Sequence, residues 1–297
     1  MRFTMAVFAL QAVGLGMFSF STLAQEPLKV SSFSTVLTEI AEQVGGAKVQ
    51  VSSHVAPGVD PHEYEPKPGV LKVASSADVV LLSAKHLEGF VGKLQQVVGP
   101  NVHMLAVGDR IPSLLIKTEA GTLERVDDPH WWHSVENMQK AVRIVRDEFS
   151  KLRPESRSYY EANAQKYGKE LGELKEWALG KVAELPRDRR KLVTSHEAFQ
   201  YFAKEYGFTI YSVEGLTPSD QPSSRKVAEL LSIIRAQKVK AVFSQDSANP
   251  KVLKQITAET GAILGPSLWA DGLGTGDAGT YSGMFRHNVN AIVGGLK

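Results

Sequence analysis

The 297-residue chain contains no cysteine. Disulfides, thiolate zinc sites, a cysteine nucleophile and a lipid-modified cysteine behind a leader are thereby excluded. An excess of one charge is missing too: 34 Lys and Arg against 32 Asp and Glu leave a formal net charge of +2. No basic run and no interleaving of basic with aromatic residues points to a nucleic acid. Beyond residue 24, no apolar run approaches the ~20 residues of a membrane span. A Gly-x-Ser-x-Gly elbow and a phosphate-binding glycine loop are also absent, which removes two common enzyme frameworks.

What is present is ordinary globular material, 43% hydrophobic and 22% charged, long enough for two domains with proper cores. The N-terminus has the pattern of a secretory signal. Arg2 supplies the charge, Met5 to Phe20 is largely apolar, and Thr22-Leu23-Ala24 is a small-residue cleavage pattern. Residues 1–24 are therefore read as a signal peptide cleaved near Ala24, leaving a soluble, exported chain.

Short Val- and Leu-rich runs at Leu28–Phe33, Val49–Val55, Asp78–Ser83 and Val102–Val107 alternate with helical patterns such as Thr35–Val44 and Pro68–Ser75. That alternation predicts a parallel sheet covered by helices, an N-terminal α/β lobe over residues 25–153. The polar stretch 117–128 reads as an exposed loop. Ser134 is placed to cap a helix whose apolar face is Val135, Met138, Val142, Val145, Phe149 and Leu152. Pro154 opens a longer helix, 154–185, with Tyr160, Ala164, Tyr167, Leu171, Leu174, Ala178, Val182 and Leu185 on one face. Gly168, Gly172 and Gly180 weaken it, so close packing against something is expected there. The α/β alternation then repeats in residues 186–297, with strands at Lys191–Ser195, Phe208–Val213, Lys240–Gln245 and Ala262–Leu268. Helices are expected at Phe199–Tyr206, Ser223–Ala236 and Asn249–Thr260. The fold class is thus α/β, two lobes with flanked parallel sheets joined by one long connecting helix.

In open α/β sheets, ligands bind beyond the carboxyl ends of the strands. Four chemically matched residues fall there. His62 lies in Val59-Asp60-Pro61-His62-Glu63-Tyr64-Glu65-Pro66, where two prolines make a stiff loop. His130 lies in Asp128-Pro129-His130-Trp131-Trp132, His196 in Ser195-His196-Glu197-Ala198-Phe199, and Asp271 in Trp269-Ala270-Asp271. Three imidazoles and a carboxylate suit tetrahedral Zn²⁺, whereas Mn²⁺ prefers more oxygen. His133 is a candidate extra donor, Glu63, Glu65, Glu197 and Asp128 are candidates to orient a ligand, and the two tryptophans are read as cleft walls. A zinc hydrolase is disfavoured: Gln200 stands where a His-Glu-x-x-His helix needs its second histidine, and four protein ligands leave no open position for water.

Taken together, these motifs resemble the metal-specific (zinc/manganese) periplasmic substrate-binding proteins of ABC transporters. Trp269-Ala270-Asp271-Gly272-Leu273 and Tyr281-Ser282-Gly283-Met284-Phe285-Arg286-His287-Asn288 also look like that family. The resemblance implies a rigid connecting helix, limited lobe movement and delivery of Zn²⁺ to a membrane permease by a periplasmic monomer. The alternative cargo is Mn²⁺ or iron, and a surface adhesin is the remote alternative. It carries the ligand roles onto His62, His130, His196 and Asp271. Two departures stand out. Residues 117–128 hold no histidine, unlike the His-rich loop of many zinc members, and no cysteine is available for a lipid anchor. In manganese-preferring members a glutamate commonly stands where this chain has His196.

Overall fold

The computed structural model describes residues 26–117, 125–217, 222–245 and 251–297. The expected signal peptide and the first residues of the helix expected at 249–260 lie outside this range. The N-terminal part runs β1 (Leu28–Ser32), α1 (Thr35–Gly45), β2 (Val49–Ser53), α2 (Pro68–Ala74), β3 (Val79–Leu82), α3 (Val91–Val97) and β4 (His103–Ala106). All pairs are parallel, in the order β2-β1-β3-β4. The central strand β3 is buried along its whole length, as a Val-Val-Leu-Leu run flanked by helices requires.

The loop expected at 117–128 has strand residues at its two ends, and residues 118–124 between them lie outside the described residues. Strands β5 (Leu115–Lys117) and β6 (Arg125–Asp127) pair antiparallel. Asp128 is fully buried directly after them. Pairing across the hairpin overrides the polar composition of the segment, a tertiary effect that local sequence does not carry.

Helix α4 (Val135–Leu152) is capped as expected, its Ser134 hydroxyl accepting from the Asn137 N–H at 3.1 Å. Helix α5 (Arg157–Ala183) follows a 3₁₀ turn at Pro154–Ser156. Every residue of its expected apolar face is buried. The glycines, however, do not mark close packing: a Cβ at Gly168 or Gly180 would meet nothing within 4 Å, and at Gly172 only the Gln139 amide at 3.7 Å. They lie off the buried stripe, and tertiary contacts along that stripe hold the helix despite them.

The C-terminal part repeats the first with β7 (Lys191–Thr194), α6 (Gln200–Tyr206), β8 (Thr209–Ser212), α7 (Ser224–Gln237), β9 (Ala241–Val242), α8 (Lys251–Thr260), β10 (Ile263–Leu264) and α9 (Tyr281–Leu296). β7 pairs with β8 and β9 with β10, all parallel, and a parallel bridge from Thr194 to Phe243 joins the two pairs.

Helix α5 packs on α1 and α4 from one side of the molecule and on α9 from the other. One carboxylate ties the junction. Buried Glu39 of α1 accepts from the Tyr167 hydroxyl of α5 at 2.7 Å and from the Tyr281 N–H at the start of α9 at 2.6 Å. Burial lifts its pKa above the ordinary value, although both hydrogen bonds favour the anion. The apolar core is correspondingly continuous through α5 into both lobes. A smaller cluster of Phe33, Ala74, Val80, Leu82, Phe90 and Leu94 fills the space under α2 and α3.

After β3 the backbone makes an unusual turn. Ala84, Lys85 and His86 all have positive φ, 66°, 55° and 65°. For side chains with a Cβ this costs roughly 1–2 kcal/mol per residue. Buried Glu88 compensates, accepting the Ser83 and Ala84 N–H groups at 2.6 and 3.0 Å. Burial pushes its carboxyl up to about 7 against these bonds. Because the folded pKa exceeds the unfolded one, the native state keeps a proton that the unfolded chain sheds above about 4.5. The stabilisation is full below that value and lost as pH rises through about 7, about 3 kcal/mol over the window. Urea denaturation of metal-free wild type and Glu88→Gln should therefore show their stability gap moving by about that amount against wild type between pH 4.5 and 8. A constant gap would mean that Glu88 titrates ordinarily in the fold.

Candidate metal site

The His62 loop is held at both ends. The Asp60 side chain accepts the His62 N–H at 2.8 Å. Tyr64 packs its ring toward Phe33 and Phe90, with centroids 6.3 and 5.7 Å apart. His130 follows β6 rather than β4 directly, and opens a 3₁₀ turn at Trp131–His133. His196 lies two residues past β7, its backbone clamped by one amide: Gln245 Oε1 accepts the His196 N–H at 2.6 Å, and Gln245 Nε2 donates to the His196 carbonyl at 3.1 Å. Asp271 follows Leu268, which bridges to Gln245. Asn288 of α9 brackets Trp269, accepting its N–H at 2.9 Å and donating to its carbonyl at 2.7 Å.

These four loops converge. One donor atom each of His62, His130, His196 and Asp271 lies within 4.8 Å of every other. Asp271 Oδ1 stands 3.6 Å from His62 Nε2, 3.4 Å from His130 Nε2 and 3.1 Å from His196 Nε2. His62 Nε2 and His130 Nε2 are 3.3 Å apart. Donors about 2.0–2.1 Å from a tetrahedral zinc are separated by about 3.3 Å, so these edges match the polyhedron. His130 and His196 are fully buried, while the His62 and Asp271 side chains keep 6% and 2% exposure. The floor of the site is thus the histidine pair and its mouth the other two.

The electrostatics suit a cation. Burial alone would raise the Asp271 carboxyl, but the neighbouring His196, His130 and His62 outweigh it and hold it well below the usual range. Burial would depress His130, but the Asp128 and Asp271 carboxylates overcome it and hold the imidazole up at about 9. A metal arriving at neutral pH must displace that proton. His62 is lowered, by burial first and by its imidazole neighbours next. Asp128 Oδ1 accepts from both His130 Nδ1–H, at 2.8 Å, and the His130 N–H, at 2.9 Å. This fixes the tautomer that turns the Nε2 lone pair into the site.

Of the four carboxylates named from sequence, only Asp128 touches a site histidine. Glu65 pairs with Lys93 on the surface, and Glu197 accepts from Gln200. His133 stands apart from the donor cluster: its Nε2 donates to the Ala270 carbonyl at 2.8 Å. Burial, then the charge of His130, drives its pKa down to about 3, so the ring is neutral. Trp131 and Trp132 do not line an open cleft, although Trp132 stands edge-on to the His130 ring, with centroids 5.4 Å apart. Both are buried in the core, with Trp131 Nε1–H donating to the Ser83 carbonyl and Trp132 Nε1–H to the Ala270 carbonyl. Sequence reasoning missed Gln245 and Asn288 as clamps. Gln245 ends an expected strand and Asn288 lies in a motif noted above, but neither position signals a partner.

Comparison with known proteins agrees along the whole fold. Residues 30–295 match the family model described as zinc-uptake complex component A, periplasmic. The chain is 36% identical to the manganese-binding lipoprotein MntA of Bacillus subtilis, over 98% of this chain and 96% of that protein. It is 30% identical to the iron-binding protein YfeA of Yersinia pestis, over 90% and 86% of the two chains. The solved periplasmic zinc-binding protein TroA of Treponema pallidum superimposes with a TM-score of 0.82 at 28% identity, covering 92% of this chain and 99% of that one.

Proposed function

This chain belongs to the metal-specific substrate-binding proteins of ABC transporters, and from that premise we propose that it carries Zn²⁺, held by His62, His130, His196 and Asp271, to a membrane permease. Members of the family are binding proteins and not enzymes, so a permease and a metal ion are the partners of the chain. The observation that supports zinc is the donor set, three imidazole nitrogens and one carboxylate oxygen, with four of their separations at 3.1–3.6 Å. Zinc also outranks manganese at most such sites by intrinsic affinity. Manganese is the second reading, favoured by the similarity to MntA.

We further propose a free periplasmic monomer starting near Gln25, since the sequence offers no cysteine for a lipid. Its lobes would be residues 25–153 and 186–297, with 154–185 as the connector. Native mass spectrometry of the exported protein tests these readings together. One Zn²⁺ per monomer is expected, on a chain whose mass fits a start at Gln25. Retention of Mn²⁺ against an equimolar Zn²⁺ challenge would transfer the assignment to manganese. Purification without any bound metal, with no uptake on titration, would defeat the carrier reading altogether.

A further inference from the structure

His133 sits one turn past His130 yet reaches none of the donor atoms. Its contacts are with the loops that carry the other buried ligands. The ring stacks on Phe199, three residues beyond His196, with centroids 4.3 Å apart and planes 29° apart. Its Nε2–H meets the Ala270 carbonyl, which precedes Asp271. Trp132 Nε1–H donates to the same carbonyl at 2.9 Å, so that oxygen takes two donors from the 131–133 turn. On the far side of Asp271, the Leu273 N–H donates to Thr35 Oγ1 at 2.8 Å. A Cβ at Gly272 would lie 2.5 Å from that hydroxyl, so the loop is pressed against the start of α1. Asp271 is therefore strung between two points fixed by the N-terminal lobe.

The same turn carries His130, whose carbonyl accepts the His133 N–H at 3.2 Å. His133 itself is 1% exposed and has no room to swing aside. Three of the four donors thus refer their positions to one short segment, directly for His130 and through the His133 ring for His196 and Asp271. A phenylalanine of equal size could fill the space but not hold the carbonyl. A glutamine could donate from nearly the same point but not stack.

We propose that His133 is a positioning residue for metal capture, a key from the N-terminal lobe that fixes the two C-terminal loops bearing His196 and Asp271. This rests on the carrier reading above. It accounts for a buried imidazole that the ligand set does not use. It also means that the fourth ligand is set in place by the opposite lobe before any ion arrives.

The test uses Co²⁺, whose visible d–d bands report coordination, and Zn²⁺ affinity by chelator competition. Both are measured on wild type, His133→Phe, His133→Gln, Asp271→Asn and the Phe/Asn double variant. His133→Phe should weaken Zn²⁺ about tenfold, the low end of the loss for a group that orients a ligand, and should lower the Co²⁺ band intensity. His133→Gln should recover most of the affinity. In the Asp271→Asn background the further loss from His133→Phe should be under about twofold, because the phenylalanine keeps an aromatic ring against Phe199 and removes only the carbonyl link, which acts through Asp271. Full multiplication of the two losses, or Zn²⁺ affinity in His133→Phe within about twofold of wild type, would overturn the proposal. A fall in metal-free thermal stability with unchanged Co²⁺ bands and affinity would also overturn it, leaving a packing role. Wild type that takes up no Co²⁺ or Zn²⁺ would instead bring down the carrier reading, and this inference with it.

Discussion

His130→Ala should cost the protein more metal affinity than any other single truncation, at least about a hundredfold for Zn²⁺ and Mn²⁺ alike. Losing a group that merely orients a ligand costs about 10–100-fold, and His130 is itself one of the four proposed donors. It is also the donor best prepared for its task, fully buried and with its Nδ1–H fixed on Asp128. Removing the ring would do a second kind of damage. Asp128 would be left as a fully buried carboxylate without its imidazole, and breaking a buried pair on one side typically costs about 3–5 kcal/mol. The variant should therefore be less stable even without metal. Asp128→Asn separates the two effects, because it keeps the donor and weakens only its backing. Its loss should stay within the 10–100-fold range and apply to both metals. The measurement is competitive titration against a chelator, with thermal unfolding of the metal-free variants alongside. Zn²⁺ affinity of His130→Ala within about tenfold of wild type would remove His130 from the ligand set.

Selectivity should turn on His196. An imidazole there is a neutral, softer donor, and it leaves a single carboxylate in the set. Its backbone is held by Gln245 and by the Thr194 hydroxyl, which donates to the His196 carbonyl at 3.0 Å. A replacement side chain would therefore start from the same point. His196→Glu should weaken Zn²⁺ by one to a few orders of magnitude, roughly the scale of losing a good ligand. Mn²⁺, which favours oxygen donors, should lose less or gain. Both metals, titrated in one buffer against wild type, give the ratio that matters. An unchanged Zn/Mn ratio would take away the main support for zinc and strengthen the manganese reading.

That His62, His130, His196 and Asp271 converge was legible in the sequence because each is a histidine between prolines or a polar residue just beyond a strand. The buried faces of α4 and α5 were legible because helical spacing alone defines them. What could not be read was direction across long separations. Asp128, Glu63, Glu65 and Glu197 all lie within three residues of a site histidine along the chain, yet only Asp128 turns toward one. His133 has the same aromatic neighbours as His130, and its partner, Ala270, is 137 residues away. The hairpin of β5 and β6 was missed because a polar segment becomes a strand only when its partner is present. The glycines of α5 mislead for the opposite reason: a Cβ would face open space at Gly168 and Gly180 and only the Gln139 amide at Gly172.

The Glu39 junction bears on how a transporter would sense this carrier. One buried carboxylate joins α1, α5 and the first turn of α9, and the core runs unbroken beside it. Opening the lobes like a jaw would strip that carboxylate of its partners in a dry interior, where an unpaired charge is costly. A jaw-like closure on loading is therefore disfavoured at this junction, and the molecule should keep much the same outline with and without metal, which small-angle scattering of the two forms would check. An empty copy would then present a permease with nearly the same shape as a loaded one and compete with it.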